Sequence, residues 1–198
     1  MTLAPERGEL DATDSRALAS VAVQFFVNGA VFASFVPRLP EIRDRLGLSL
    51  DELGVMLTIG AFIGLVASMA SPAIIHRLGT RRALIALVMF MLVGLVIVGL
   101  ASTPVIFLIG FSAILMADGV VDVAMNLQGS WLSARRHAPV MNRLHGLWSL
   151  GTVAGGLVAA QAAASGVSLR TQLVTVAAVL AAALVFVGRG LLQVDEGG

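Results

Sequence analysis

The sequence predicts an all-α membrane protein with six transmembrane helices, arranged as two inverted three-helix repeats. Three observations carry that reading. Residues of the set AVILMFWYC make up 58% of the 198-residue chain and mean hydropathy is +0.93, whereas a soluble domain is only about 45–50% apolar even with glycine counted. Charged residues amount to 13%, and 23 of the 25 Asp, Glu and Arg side chains fall outside six long apolar stretches. Those stretches are continuous blocks, as in Ala83–Ala101, without the alternation of a barrel strand. Cysteine is absent, which excludes disulfide frameworks, Cys-ligated zinc or iron–sulfur sites and thiol nucleophiles.

The elements follow in order. Residues 1–16 (MTLAPERGELDATDSR) form a polar tail with four acids and two arginines. A cleavable signal wants a basic start and a short apolar region, so the first span reads as an uncleaved helix. A crossing helix needs about 20 apolar residues. Six stretches qualify: 17–37, 53–75, 83–101, 105–132, 144–164 and 172–188, here called spans 1 to 6. The membrane domain is thus 17–190, with 191–198 the start of a cytoplasmic linker or a truncated end. Pro37–Leu46 reads as a short helical cap outside the membrane, and Asp51 and Glu52 suit the start of span 2. Gly79 permits a tight reversal between spans 2 and 3. Span 3 carries no polar side chain between Ala83 and Ala101, so it is expected to face lipid. Spans 1 and 4 are expected at the centre, turning Asn28 and Asp122 toward one open face.

Orientation comes from arginine, the chain having no lysine. Nine arginines lie in the tail, loop 2–3, loop 4–5 and the C-terminal end, against four (Arg38, Arg43, Arg45, Arg170) on the other side. The positive-inside rule places both termini in the cytoplasm. A faint repeat supports two three-helix units. Gly60-x-x-x-Gly64 in span 2 recurs as Gly151-x-x-x-Gly155 in span 5, offset by 91 residues. An odd number of helices per unit inverts the second copy, although small-x-x-x-small pairs are also common packing devices.

Span 4 carries the chemistry. Asp118, Asp122 and Asn126 lie at i, i+4 and i+8, on one helix face. A charge at bilayer depth costs about 2.5–3.5 kcal/mol on insertion scales, so such acids face a water-filled cavity or a polar partner and mark a substrate or proton path. The expected proton-responsive group is Asp122, with Asn126 as hydrogen-bonding partner and Asp118 tuning it. Gln24 and Asn28 in span 1 are spaced to line the same cavity or to bond across a helix pair. His145 and Trp148 at the start of span 5 are possible ligand contacts, or an interfacial anchor in the case of Trp148.

Six spans with both ends inside and a Gly–Arg loop between spans 2 and 3 resemble the N-terminal half of a major facilitator superfamily transporter. The superfamily's loop reads Gly-x-Leu-Ala-Asp-Arg-x-Gly-Arg-Arg. Arg77, Gly79 and Arg81 match it; Pro72 stands in place of the glycine and His76 in place of the aspartate. Three further stretches resemble the fucose-permease-like branch: Asn28-Gly29 with Phe35–Pro40, Asp122–Asn126, and Leu144–Gly151. That resemblance implies a small-solute carrier of the cell inner membrane, secondary active and proton-coupled, with the helix-4 acid and the asparagine after it falling on Asp122 and Asn126. The sugar permeases' helix-1 carboxylate has no counterpart here, so sugar specificity does not carry over. Family members have twelve helices with the cavity between two halves, so the expected partners are the bilayer, a small solute, protons, and a missing six-helix half or a second half-subunit.

Other classes fit less well. A rhomboid-type protease needs a histidine on its sixth helix, and span 6 has none. An aspartyl membrane protease needs its acids on two helices, whereas both lie on span 4. The chain is therefore read as a non-enzyme without cofactor. Three scattered histidines make no metal site, and arginines spread over five loops and tails point to no nucleic acid. The competing reading is a non-transporting helical module, or a half-transporter remnant acting as an assembly partner.

Overall fold

The computed structural model describes residues 12–193. Its elements are α1 (Ala12–Phe35), a 3-10 turn (Val36–Arg38), α2 (Leu39–Leu46), α3 (Leu50–Ser68), α4 (Ser71–Leu78), α5 (Thr80–Leu100), α6 (Pro104–Arg135), α7 (Met141–Ala164), α8 (Leu169–Val187) and a closing 3-10 turn (Gly188–Gly190). Six helical segments are long and apolar enough to cross a membrane: α1 continued through α2, then α3, α5, α6, α7, and α8 with its closing turn. The tail expected at 1–16 lies partly outside the described residues. From Ala12 onward it is already helix, and Asp14 pairs with Arg135 at 2.9 Å. Of the expected 191–198 linker, residues 194–198 lie outside the described residues.

Local chemistry sets the boundaries. Ser49 and Glu52 form a reciprocal capping box that starts α3. Thr103 and Ser168 cap α6 and α8. Span 2 is not the single helix expected over 53–75, because Pro72 has no N–H to give to the carbonyl of Ser68. The Ser71 hydroxyl takes that carbonyl instead, at 2.6 Å, and reaches Gly119 O at 3.2 Å. The helix therefore stops at Ser68 and restarts as the short α4. Gly79, at φ +74°, then turns the chain into α5.

Packing is by close backbone approach. Helix α7 lies along α1, and α3 along α6; α5 packs on both α6 and α8. On α7, a side chain at Gly151 would strike Phe26 O, and one at Gly155 would meet Ala30 O at 2.7 Å. On α3, a side chain at Gly60 would meet the Phe111 ring at 2.5 Å, and one at Gly64 would meet Leu115 O at 2.9 Å. The two glycine pairs thus do the same work: span 5 docks on span 1, and span 2 on span 4. Without a solvent-driven hydrophobic force in lipid, such small-residue contacts are a main source of helix association. Aromatic rings fill the centre. Phe35 of α1 meets Phe111 of α6 edge-on at 6.0 Å, and Phe107 stacks on Phe111 at 5.8 Å.

Burial is uneven, and that positions the site. Within its apolar window α1 is 67% buried, whereas α3 and α7 are each 11% buried. Helix α5 is intermediate: Leu84, Met91, Leu95 and Val98 are buried, while Phe90, Val93 and Leu100 remain exposed. The expectation of a lipid-facing span 3 therefore describes one side of α5 only.

Candidate functional site

The two acids of α6 sit in two separate sets of bonds. The first joins three spans. Asn28, 3% exposed on α1, donates its amide N–H to Asp118 Oδ1 of α6 at 2.6 Å. Its amide oxygen accepts from Trp148 Nε1 of α7 at 2.8 Å. One buried asparagine thereby uses both ends of its amide to tie α6 and α7 to α1. The geometry depends on close helix contact: a side chain at Gly29 would strike Trp148 O, and one at Gly119 would meet Gly64 O at 2.9 Å.

The second set stays within one helix. Asn126 Nδ2 donates to Asp122 Oδ1 at 3.1 Å and to Asp122 O at 2.8 Å. Asp122 is exposed, one helical turn from Asp118 on the same face of α6. This corrects one expectation. Asn28 and Asp122 are expected to turn toward one open face; Asp122 is exposed, but Asn28 is buried and its carboxylate partner is Asp118. The physical reason is register: the buried core of α1 brings Asn28 level with Asp118, and Asp122 extends one turn past the contact.

The remaining expected residues are placed as follows. Gln24, 1% exposed, has no hydrogen-bond partner for either amide atom among the described residues. His145 is exposed, with its ring 5.4 Å from that of Phe25. Trp148 is 39% exposed, so its indole N–H is bonded to Asn28 while part of its ring faces outward. Arg77, Gly79 and Arg81 lie together where α4 meets α5, and Arg81 Nε donates to Gly188 O at 3.1 Å.

Two buried polar clusters went unnoticed in the sequence; one holds the start of α8 and the other the segment that follows its closing turn. At one end Arg38, 3% exposed, bonds Glu41 Oε2, Gln172 Oε1 and Val167 O at 2.6, 2.9 and 3.0 Å, while Gln172 donates to Ser34 O at 2.6 Å. At the other end Gln128 of α6 accepts from Leu192 N at 3.0 Å, and donates to Leu192 O at 2.7 Å and Thr80 Oγ1 at 2.8 Å. The proline–arginine motif after span 1 was a usable signal for the first. Nothing marks the second, since two of its three bonds go to backbone.

Residues 21–197 match the sequence profile of the Major Facilitator Superfamily. The chain belongs to that superfamily. It is a multi-pass, all-helical member, and the match runs from within span 1 through span 6. Among its relatives is the membrane protein MosC of Rhizobium meliloti, 32% identical over 138 residues, 70% of this chain and 34% of MosC. An uncharacterized transporter of Sinorhizobium fredii is 28% identical over 142 residues, 70% of this chain and 38% of that protein. An uncharacterized MFS-type transporter of Yersinia pestis is 26% identical over 136 residues, 69% of this chain and 35% of that one. The chain spans about a third of the length of the curated relatives it matches. No solved structure matches it. Within the superfamily's loop motif, Arg77, Gly79 and Arg81 stand at the helix reversal.

Proposed function

We propose that the chain forms the N-terminal half of a secondary active, proton-coupled carrier that moves a small solute by alternating access. In this reading α3 and α7, each barely buried, face a second six-helix half. Both ends of the chain, with the Arg77–Arg82 and Arg135–Arg143 segments, lie in the cytoplasm of an inner membrane. The paired docking of span 5 on span 1 and span 2 on span 4 is what two inverted three-helix repeats would produce. The superfamily is one of carriers, not enzymes, and the MFS-type name of the Yersinia pestis relative supports transport. The fucose-permease-like stretches include both Asn28 and Trp148, which meet at the same junction.

The observation that carries the reading is the Trp148–Asn28–Asp118 chain of bonds. A carrier must convert protonation into helix movement. Asp122 and Asn126 bond within one helix, so a proton on Asp122 changes nothing between helices directly. Asp118 bonds across spans. A proton there cancels the charge that Asn28 donates to, weakening a charge-assisted contact and freeing α7 and α1 to shift against α6. We therefore assign coupling to Asp118, with Asp122 and Asn126 on the exposed solute path, the reverse of the order the resemblance implies.

The test uses proteoliposomes carrying the whole carrier that contains this segment, loaded with a pH-sensitive dye and exposed to a panel of small solutes. One solute should move protons with it. Asp118→Asn should abolish solute-driven proton movement while leaving downhill solute exchange; Asp122→Asn should weaken solute affinity and keep coupling. Unaltered coupling in Asp118→Asn defeats the assignment. If no solute moves in the carrier while the folded chain assembles with other membrane proteins, the non-transporting module is the better reading.

A further inference from the structure

Apart from the acids at bilayer depth, the structure holds a hollow of about 640 Å³ where α4 meets α5, walled by His76, Arg77, Arg81 and Arg82. We propose that this hollow binds the phosphate group of an anionic membrane phospholipid.

Charge is the first argument. No Asp or Glu occurs between Glu52 and Asp118 in the sequence. Among the described residues none of these three arginines makes an ion pair. Among the described residues Arg81 bonds through its Nε alone, to Gly188 O, which fixes the side chain and leaves its terminal nitrogens toward the hollow. Clustered guanidinium groups repel one another, and their fork of donors matches phosphate oxygens. The start of α5 adds to the field: Gly79 offers no side-chain cap and the first turn holds no acid, so positive backbone N–H groups meet the same hollow. The wall is also held in place. Gln128 pins Leu192 by both its N–H and its carbonyl, and Gln193, the next residue, lines the hollow.

Shape argues for a lipid over a soluble phosphate. Leu78 and Ile85 give the hollow an apolar lip. Below it Arg82, Ala86, Phe90 and Val93 run down one face of α5 at i, i+4, i+8 and i+11, all exposed. A headgroup held by the arginines leaves its acyl chain against that strip. The site stands independently of the coupling role given to Asp118.

The experiment is native mass spectrometry of the full chain released from nanodiscs of phosphatidylcholine with about one-fifth phosphatidylglycerol, scoring which lipid stays bound. Wild type should retain one phosphatidylglycerol in clear preference to phosphatidylcholine. Arg77→Gln with Arg82→Gln should reduce that preference about tenfold or more, since losing even one charge-assisted guanidinium–phosphate bond costs on the order of tenfold. Arg77→Lys with Arg82→Lys should restore much of it. Arg136→Gln with Arg143→Gln removes equal charge elsewhere and should leave the preference intact; an equal loss there would reduce the effect to general electrostatics and overturn the site. Displacement of the lipid by inorganic phosphate at millimolar concentration would assign the hollow to soluble anions and overturn the lipid. Retention that appears only in Asp195→Asn with Glu196→Gln would mean that the chain's own acids fill the hollow, and the proposal would fail.

Discussion

Replacing Asn28 with leucine removes two bonds at once, the 2.6 Å donation to Asp118 and the 2.8 Å acceptance from Trp148. Leucine keeps asparagine's branched outline, so no cavity opens, although its bulkier methyl groups add to the cost. Interhelical hydrogen bonds in membrane proteins average about 0.6 kcal/mol and reach about 1.7. Two of them, one to a carboxyl group, place the expected loss at about 1–3 kcal/mol. Asn28→Asp should cost more, because it sets a second carboxyl group within bonding distance of Asp118 and removes the donor between them. The assay is equilibrium unfolding by dodecyl sulfate in mixed micelles, in a Trp131→Phe background that leaves Trp148 as the only tryptophan. Trp148 emission should also shift to the red in Asn28→Leu, since its freed N–H turns to water. An Asn28→Leu chain that unfolds like wild type with unmoved emission would show that the bridge contributes nothing.

Further outcomes follow from the same structure. A cysteine placed at residue 43 should react with an impermeant reagent in intact cells and one at residue 80 should not; the opposite pattern would invert the topology. Gly155→Leu should destabilise by about 1–3 kcal/mol through overpacking, because its Cβ meets Ala30 O at 2.7 Å, while Gly156→Ala, with open space around it, should be unchanged or gain up to about 1 kcal/mol. Equal effects at the two positions would mean that α7 does not lie on α1 as described. Gln128→Leu should speed amide exchange at Leu192, whose N–H it accepts, whereas Gln24→Leu should cost nothing or stabilise, since its amide atoms have no partner among the described residues; exchange at Leu192 that does not change would remove the clamp.

The six spans were legible because bilayer thickness imposes a length and an apolar composition that nothing else in a chain of this size requires. The cap at Leu39–Leu46 was legible from its charges. The break after Ser68 was signalled by Pro72 but was overridden by the apolar run on both sides. The site was half legible. Bilayer-depth acids announce themselves by cost, so Asp118 and Asp122 stood out, but their ranking depends on which turn of α6 meets α1. A usable signal existed: Asn28-Gly29 recurs as Asp118-Gly119 at an offset of 90, beside the glycine pairs at 91. Reading that near-repeat would have paired Asn28 with Asp118. Gln128 and Gln172 stayed hidden because a glutamine that bonds to backbone leaves no spacing pattern.

The most direct test of the coupling assignment is a pH titration of Trp148 emission in the Trp131→Phe chain in lipid nanodiscs. Among the described residues the titratable groups near the junction are Asp118 and Asp122 on α6, and His145 on α7 three residues before Trp148; α1 has no charged residue between Arg16 and Arg38, and α3 none after Glu52. The account predicts one sigmoidal change in emission that persists in Asp122→Asn and His145→Gln and disappears in Asp118→Asn. A transition that survives Asp118→Asn, or one abolished by His145→Gln alone, would contradict it.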